Sequence, residues 1–387
     1  MMRLVPPVAV PYGALRVAAA AFGLDARSVS SFARSLARSS GATYVALYGS
    51  GRATLSSFLE ATRRSDRDEV VLPAYTCWSL PASVVRVGLR VRLIDVDPRT
   101  LVADLEAIRR VPLDRVAAIV LPHAFAYCGE VRAALAEVAH RDPEVLRIED
   151  AAQAWPVDLS PAADALLLSF ARGKPLPLGG GGALLRNSAV PNVMQSGSRG
   201  GWTAAFALTA TALLARPAVY RIPRAFPFLG IGTTVYDPGF DVNTPFLRWQ
   251  ASLGLRLLPF LPEWNAARTR HATAILAGLG EARGWAVPLP ARGEAPIRLP
   301  LLAPSAEGRI RAVAAFERRG ISAATMYPAP LGSIPALRPH LANPGDPMPG
   351  AAEIASRLFT LPVYPTLSTK DVEHIARALG QIVAEIV

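Results

Sequence analysis

Lysine is scarce in this chain. Of 41 basic residues in the 387-residue sequence, only Lys174 and Lys370 are lysines. Arginine keeps its charge, whereas lysine can lose its proton, attack a carbonyl and form a Schiff base. Lys174 stands just before Gly179 to Gly182, and Lys370 lies at the start of a predicted exposed helix. Any lysine chemistry in this chain is therefore expected at Lys174.

Cysteine and long apolar runs are also rare. Cys77 and Cys128 are too few for a disulfide framework, so a reducing cytoplasm is the expected location. The N-terminus lacks the apolar run and cleavage site of a secretory signal. The uncharged stretch Trp202 to Ala215 is shorter than the roughly 20 apolar residues of a membrane span. It predicts a buried helix, with a helix on a membrane or lining an apolar pocket as the alternatives.

The net charge of +11 comes from scattered arginines and not from a dense basic run. The sequence contains no zinc-finger, RNA-recognition or helix-turn-helix signature. It therefore predicts a solvated basic surface and no nucleic-acid partner. Attraction of a phosphorylated substrate or an anionic membrane surface is the alternative. No residues are assigned to a metal.

From Ser50 to Asn187, short apolar runs alternate with helical patterns. The predicted strands are 70–72, 91–94, 117–121, 145–148, 165–169 and 183–185, and the helices between them are 53–62, 81–87, 105–110 and 131–139. Strands rich in Val, Ile and Leu that alternate with helices are typical of a buried, mostly parallel sheet. The chain is therefore predicted to be α/β, with right-handed crossovers.

The pattern changes after this region. Residues 190–242 form an apolar insert, and a long helical pattern runs from Phe246 to Leu279. Strand, helix and helix patterns follow near 297–302, 307–319 and from Thr369 onward, as in a smaller α+β domain. We therefore predict a large domain over residues 1–250 and a small C-terminal domain over residues 251–387.

Two carboxylates end the predicted strand 145–148, in the sequence Glu149-Asp150-Ala151-Ala152-Gln153. Ligands of α/β sheets bind at the carboxyl ends of strands, so Asp150 is expected to point into a site. A carboxylate there can bind a protonated ring nitrogen. Alone, the motif equally fits a helix cap.

Phosphate-binding features occur at two places along the chain. Ser169 ends the next strand, with Lys174 and a glycine run after it. Gly49-Ser50-Gly51-Arg52 precedes a helix, where backbone N–H groups can bind a phosphate. The glycine patterns match neither a Walker loop nor a Rossmann fingerprint. A helix start for phosphate, an Asp for a pyridinium and a Ser with a Lys together indicate pyridoxal phosphate (PLP).

These motifs resemble the DegT/DnrJ/EryC1/StrS aminotransferases, which are fold type I PLP enzymes with a mostly parallel seven-stranded sheet. The resemblance runs from about Ser30 to the C-terminus. Its landmarks are SGRATL, DEVVLPAYT, the VDP of IDVDPRTL, EDAAQA, SFARGKPL with GGGGAL, and RLFTLPVYPTLSTKDV. The EDAAQ and SFxxxKxL pair is the specific part, in both order and spacing.

The resemblance implies a role for each matching residue. Lys174 would hold PLP as a Schiff base and move protons, and Asp150 would pair with the ring nitrogen. Gln153 would lie near the phenolic oxygen of the ring. Phosphate would be held by Ser169 and by the backbone of Gly51 and Arg52. Asn243, seven residues before Gln250, would reach the phosphate of a partner subunit, which implies a homodimer with shared sites.

The chain also departs from the family pattern. Arg52 stands where the family usually has Thr, so its guanidinium would bind the cofactor phosphate or a substrate anion, or turn outward. The ring-stacking aromatic is replaced by Cys77, so Trp78 or Tyr75 would take over. Pro245 and Gly332 replace a family Arg and His. The departures concern substrate positions more than cofactor positions.

The sequence thus predicts a PLP-dependent aminotransferase. Glutamate or glutamine would donate the amino group, and the expected acceptor is a nucleotide-linked keto sugar. One alternative is a PLP enzyme that acts on a less polar, non-sugar carbonyl compound in secondary metabolism. The other is a non-catalytic, membrane-associated protein with the same fold. Dehydratases of the family carry a histidine in place of the lysine, and Lys174 argues against that branch.

Overall fold

The structure is a computed structural model that describes residues 4–22, 27–188, 197–198, 202–214, 220, 235–280, 282–288 and 295–386. The strands are β1 Tyr44–Tyr48, β2 Glu69–Pro73, β3 Arg90–Ile94, β4 Val116–Pro122, β5 Leu146–Asp150, β6 Ala165–Ser169, β7 Gly182–Arg186, β8 Gly197–Ser198, β9 Phe246–Leu247, β10 Leu299–Leu302 and β11 Leu358–Leu361. The α-helices are α1 Ala14–Phe22, α2 Ser28–Ser40, α3 Gly51–Ala61, α4 Ser79–Arg86, α5 Leu105–Arg110, α6 Gly129–Arg141, α7 Trp202–Leu214, α8 Arg248–Leu257, α9 Leu261–Leu276, α10 Ala306–Arg318, α11 Pro349–Arg357 and α12 Thr369–Glu385.

Seven strands form one sheet in the order β1-β7-β6-β5-β4-β2-β3. Strand β7 runs antiparallel to β1 and β6, and the other neighbouring strands are parallel. The predicted α/β class and mostly parallel sheet are confirmed. The sequence prediction began at Ser50 and missed β1, which pairs from Tyr44 to Tyr48 with Arg186 to Gly182.

Helices cover both faces of this sheet, and side chains alternate between two cores along each strand. In β6, Leu167 packs with Leu55 and Phe58 of α3 on one face. Leu166 and Leu168 belong to the core on the other face, together with residues of α2 and α8. A strand buried on both faces is apolar at its buried positions, which explains the apolar run from Ala165 to Leu168 in β6. Ser169, which ends the strand, is only partly buried.

The C-terminal region forms the predicted α+β unit. Strands β10 and β11 pair antiparallel, and Phe316 of α10, Phe359 and Ile375 of α12 share one core. The helical pattern 246–279 is two α-helices joined by a 3₁₀ turn at Leu258–Phe260. The boundary near residue 250 stays a prediction, and α8, which crosses it, packs against the large sheet.

Helix α7 is buried on one side only. Ala205 and Leu208 are buried in the core that includes α1, whereas Phe206 is 75% exposed and Leu213 and Leu214 are also exposed. The expected buried helix is thus half correct. Residues 190–196, 199–201, 215–219 and 221–234 of the predicted insert lie outside the described residues. Within the described part of the chain, no helix has the length and apolar character needed to cross a membrane.

Candidate active site

A cavity of about 620 Å³ lies where the carboxyl ends of β5 and β6 meet the start of α3. Parallel strands bring their carboxyl ends to one edge of a sheet, so residues far apart in sequence line the same space. The structure brings five predicted site residues together in the wall of this cavity. They are Gly51, Arg52, Asp150, Ser169 and Lys174.

The start of α3 forms the floor of the cavity. The Ser50 hydroxyl accepts a hydrogen bond from the Ala53 N–H at 3.1 Å. The N–H groups of Gly51 and Arg52 come first in the helix, so they have no carbonyl of that helix to bond to. A Cβ at Gly51 would lie 3.4 Å from Ser169 Oγ. The Ser169 hydroxyl and a helix N-terminus therefore flank the same small volume, which suits a phosphate.

Glycine is also required where β7 meets α3. A Cβ at Gly182 would lie 2.5 Å from Thr54 Oγ1 and 2.8 Å from the Gly51 nitrogen, which is closer than atoms can approach. The backbone of β7 therefore fixes the position of the α3 start. This contact gives the GGGG run a steric role in addition to the predicted approach to a ligand.

Asp150 ends β5 and is buried. Its Oδ1 accepts from the Ala152 N–H at 2.9 Å, and its carbonyl accepts from the His123 N–H at 3.0 Å. Burial raises the pKa of Asp150, while the charges of Lys174 and His123 and the Ala152 N–H oppose that rise. A buried carboxylate opposite an amine is the arrangement expected for binding a protonated ring nitrogen.

His123 lies beside Asp150 and has no exposed surface. Its Nε2 lies 3.4 Å from Oε2 of Glu149, which is equally buried. Burial alone favours the neutral ring, but the adjoining Cys128 and Glu149 side chains outweigh it and raise the pKa of His123 to about 9. The paired carboxylates of the EDAAQ motif therefore differ in role, with Asp150 in the cavity wall and Glu149 against an interior histidine.

Lys174 is half-buried in a turn that follows β6. The backbone N–H of Lys174 donates to the Ala171 carbonyl at 3.2 Å, and the preceding Gly173 has φ +81°. A Cβ at Gly173 would also lie 3.1 Å from Val8 Cγ1. Arg268, buried in α9, donates to the Pro175 carbonyl at 3.3 Å on the other side. The lysine turn is thus held between the N-terminal segment and α9.

Gln153 and Tyr327 form a buried pair behind the cavity. The Gln153 amide donates to the Tyr327 hydroxyl at 3.0 Å and accepts from the Phe125 N–H at 3.0 Å. Tyr75 packs edge-on against Tyr327, with ring centres 5.4 Å apart. Gln153 is not among the described residues that line the cavity at the start of α3, and its place near a bound ring stays a prediction.

Of the three residues considered for stacking, only Cys77 is among the described residues that line the cavity at the start of α3. The Trp78 indole N–H donates to the Ala329 carbonyl at 3.4 Å, and Tyr75 is buried behind it. Stacking by Trp78 on a bound ring therefore stays a prediction. Asn243 is exposed, and its N–H donates to Asp241 Oδ1 at 2.8 Å. Its reach to a partner subunit likewise stays a prediction.

Two side chains that contact Arg52 were not predicted from the sequence. Asp237 Oδ2 lies 3.6 Å from Nη1 of Arg52, and the Phe240 ring centre lies 4.6 Å from the Arg52 guanidinium carbon. Both are more than 180 positions from Arg52 and fall within the apolar insert, where no motif singled them out. Pairing across such a distance leaves no local signal in one sequence.

The residues present fit pyridoxal phosphate. The cavity offers an amine at Lys174, a buried carboxylate at Asp150, and the Ser169 hydroxyl next to the N-terminus of α3 at Gly51. These are the three groups that a phosphorylated pyridine aldehyde requires.

Comparison with known proteins agrees with this geometry. The model of the DegT/DnrJ/EryC1/StrS aminotransferase family matches residues 16–380. The pleiotropic regulatory protein of Geobacillus stearothermophilus is 24% identical over 346 residues, which cover 86% of this chain and 83% of that protein. The L-glutamine:2-deoxy-scyllo-inosose aminotransferase of Streptomyces lividus is 34% identical over 163 residues, or 41% of this chain and 38% of that enzyme.

Among solved structures, the PseC aminotransferase of Helicobacter pylori, involved in the biosynthesis of pseudoaminic acid, matches with a TM-score of 0.74. The match covers 100% of both chains at 16% identity. At that identity the likeness establishes the fold, and the fold type predicted from the sequence is confirmed.

Proposed function

This chain belongs to the DegT/DnrJ/EryC1/StrS aminotransferase family, and we propose that it transfers an amino group from an amino acid to the keto group of a sugar. The observation that carries the proposal is the placing of Lys174, Asp150 and Ser169 around one cavity at the start of α3. Pyridoxal phosphate, when bound, supplies an aldehyde that carries the amino group and a ring that withdraws electrons from the reacting carbon.

Lys174 is the residue that would hold the cofactor covalently and move protons. Its Nζ would take a proton from the amino-bearing carbon of the donor, and it would return one to the carbon of the acceptor. The Asp150 carboxylate would bind the protonated ring nitrogen, because a buried anion stabilises a neighbouring cation strongly. Ser169 Oγ and the N–H groups of Gly51 and Arg52 would bind the phosphate.

Glutamate or glutamine is the proposed donor and a nucleotide-linked keto sugar the proposed acceptor. The name of the Streptomyces lividus relative supports glutamine as donor and a cyclic polyol ketone as acceptor class. Lys174 also separates the chain from dehydratases of the family, in which a histidine replaces the lysine. A cytoplasmic homodimer, in which Asn243 completes the partner's site, is part of the same proposal.

The test is whether the cofactor attaches at Lys174. We expect a yellow purified protein whose absorption band disappears with borohydride, leaving a mass adduct on the peptide that contains Lys174. Lys174→Ala should lose the adduct, and Lys370→Ala should keep it, since Lys370 lies exposed at the start of α12. An adduct at Lys370, or no cofactor at all, would contradict the proposal. Band shifts with glutamate or glutamine would then identify the donor.

A regulatory, membrane-associated role is the second candidate. It is favoured by the name of the Geobacillus stearothermophilus relative and by exposed Phe206, Leu213 and Leu214 on α7. Liposome flotation separates the two functions. Wild-type protein that floats, with binding lost in Phe206→Ser, would favour the second candidate. Protein that stays in the soluble fraction while forming the Lys174 adduct would support the aminotransferase.

A further inference from the structure

Arg52 lies at the edge of the cavity, where two neighbouring side chains contact its guanidinium. Its guanidinium carbon lies 4.6 Å from the Phe240 ring centre, and its Nη1 lies 3.6 Å from Asp237 Oδ2. Phe240 is itself buried against Ala53 of α3 and Ala82 of α4. The aromatic ring therefore gives the guanidinium a fixed surface to lie on, at a site where a cation–π contact is favourable.

Asp237 is a weak and exchangeable partner for Arg52. The two side chains are 34% and 49% exposed, and ion pairs of that kind contribute little to stability. The other Asp237 oxygen, Oδ1, accepts from the Gly239 N–H at 2.9 Å, so the carboxylate is held by its own loop. Arg52 can therefore exchange Asp237 for another anion without disturbing that loop.

Arg52 is accessible to a ligand in the cavity. It lies in the cavity wall, and its side chain is 34% exposed. A substrate that carries a carboxylate or a phosphate can therefore reach its guanidinium.

We propose that Arg52 is a specificity-determining residue that binds an anionic group of a substrate, which takes the place of Asp237. A planar guanidinium binds a carboxylate or a phosphate through two parallel hydrogen bonds, and the Phe240 ring keeps it in one plane. The anion comes either from the carboxylate of the amino donor or from the phosphates of a nucleotide-linked acceptor. The inference rests on the proposed aminotransferase function.

Equilibrium binding of two unreactive probes to the cofactor-loaded protein tests this role. Glutarate represents the donor carboxylates and UDP the acceptor phosphates. We expect Arg52→Gln to weaken binding of one probe by about tenfold to a hundredfold, as for loss of a charged hydrogen bond. Asp237→Asn should tighten the same probe by about twofold to fivefold, because a competing exposed charge is removed. Arg109→Ala, which removes an exposed arginine paired with Glu106 outside the cavity wall, should change neither affinity.

The two probes distinguish the two possible sources of the anion. Weaker glutarate binding in Arg52→Gln assigns the anion to the donor, and weaker UDP binding assigns it to the acceptor. If Arg52→Gln binds both probes with unchanged affinity, the inference is overturned. It is also overturned if the variant loses only bound cofactor, because Arg52 would then bind the cofactor phosphate. If Asp237→Asn weakens probe binding as much as Arg52→Gln does, the result also contradicts the replacement of Asp237 by a substrate anion.

Failure of this inference and failure of the proposed function look different. If the chain is not an aminotransferase, the wild-type protein will show no cofactor adduct at Lys174 or no band shift with any amino donor. If only the inference is wrong, the wild-type adduct and band shift will be intact, while Arg52→Gln and Asp237→Asn bind both probes as the wild type does.

Discussion

His123 and Glu149 form an ion pair in the interior of the protein, with Nε2 and Oε2 3.4 Å apart and neither side chain exposed to solvent. A charge in such a place must be paired, because an uncompensated buried ion is strongly destabilising. Glu149 lies on β5 directly before Asp150, and His123 follows the end of the adjacent strand β4. The pair therefore contributes to the electrostatic environment of the proposed cofactor-binding carboxylate.

Replacing His123 should destabilise the protein in a pH-dependent way. The pKa of His123 is raised from 6.5 to about 9 in the folded state, so its ionisation stabilises the fold fully below pH 6.5 and less as pH rises through 9. A shift of this size corresponds to roughly 3 kcal/mol. Chemical denaturation of His123→Gln should therefore show its largest loss near pH 6 and a smaller one above pH 9. His340→Gln, at an exposed site, is the control, and a loss that grows with pH would exclude a protonated His123.

Gly182→Ala should distort the start of α3. The added Cβ would meet Thr54 Oγ1 at 2.5 Å and the Gly51 nitrogen at 2.8 Å. We expect a loss of about 1–3 kcal/mol in unfolding free energy, as for other overpacked sites, together with weaker PLP binding. Denaturation and absorbance titration with PLP measure the two effects. Gly345→Ala is the matched control, because no atom lies within 4 Å of the new Cβ. If Gly182→Ala binds PLP with unchanged affinity, the contact between β7 and the start of α3 has no role in phosphate binding.

Tyr327→Phe should leave the buried Gln153 amide without its acceptor. The Gln153 Nε2 to Tyr327 Oη bond is 3.0 Å long, and an unpaired buried donor costs about 1–3 kcal/mol. A double-mutant cycle with Gln153→Met measures the coupling between the two side chains. Tyr44→Phe, at a residue that is 48% exposed, should leave the unfolding free energy unchanged. A coupling near zero would show that Gln153 finds another partner.

Much of the fold could be predicted from the sequence because its signals are local. Strands such as 165–169 are buried on both faces and therefore form short apolar runs, and the helix after Ser50 has its capping residue in place. The edge strand β1 was missed, because it pairs antiparallel with β7, about 140 residues away, and lies before the βαβ rhythm begins. Helix α7 was predicted as buried because it carries no charge, yet Phe206 is exposed.

The site could be predicted in part for the same reason. Asp150 and Ser169 end two adjacent parallel strands, and Lys174 follows the second of them. The carboxyl ends of these strands share one edge of the sheet, so strand order was enough to bring the three residues together. Phe240 reaches Arg52 by packing against α3 and α4, and Asp237 lies in the same segment of the chain. No spacing in the sequence records either contact. Asp150 lies in the cavity wall and Glu149 lies against His123. This difference likewise depends on strand pairing and not on the motif.

Asp150→Asn should separate stability from activity. Burial raises the pKa of this carboxyl, so its ionised form destabilises the cofactor-free protein above that pKa, and the penalty disappears as pH falls toward the ordinary value of 3.8. The neutral Asn should therefore give a cofactor-free protein at least as stable at pH 7 as the wild type. Transamination should fall by about a hundredfold to a thousandfold, as when a preorganised electrostatic contact is removed.

Asp142→Asn provides the contrasting control for this prediction. Arg67 lies 2.8 Å from the Asp142 carboxylate and, against the opposing effect of burial, holds its pKa below the usual value. The ionised Asp142 carboxylate stabilises the fold above pH 3.8, and this effect is lost as pH falls. Asp142→Asn should therefore lower the unfolding free energy at pH 7 and leave transamination unchanged. Denaturation of both cofactor-free variants at pH 4 and pH 7, with single-turnover rates for the loaded enzymes, measures both effects. If Asp150→Asn instead destabilises the cofactor-free protein and keeps its activity, then Asp150 supports the fold and does not bind the ring nitrogen.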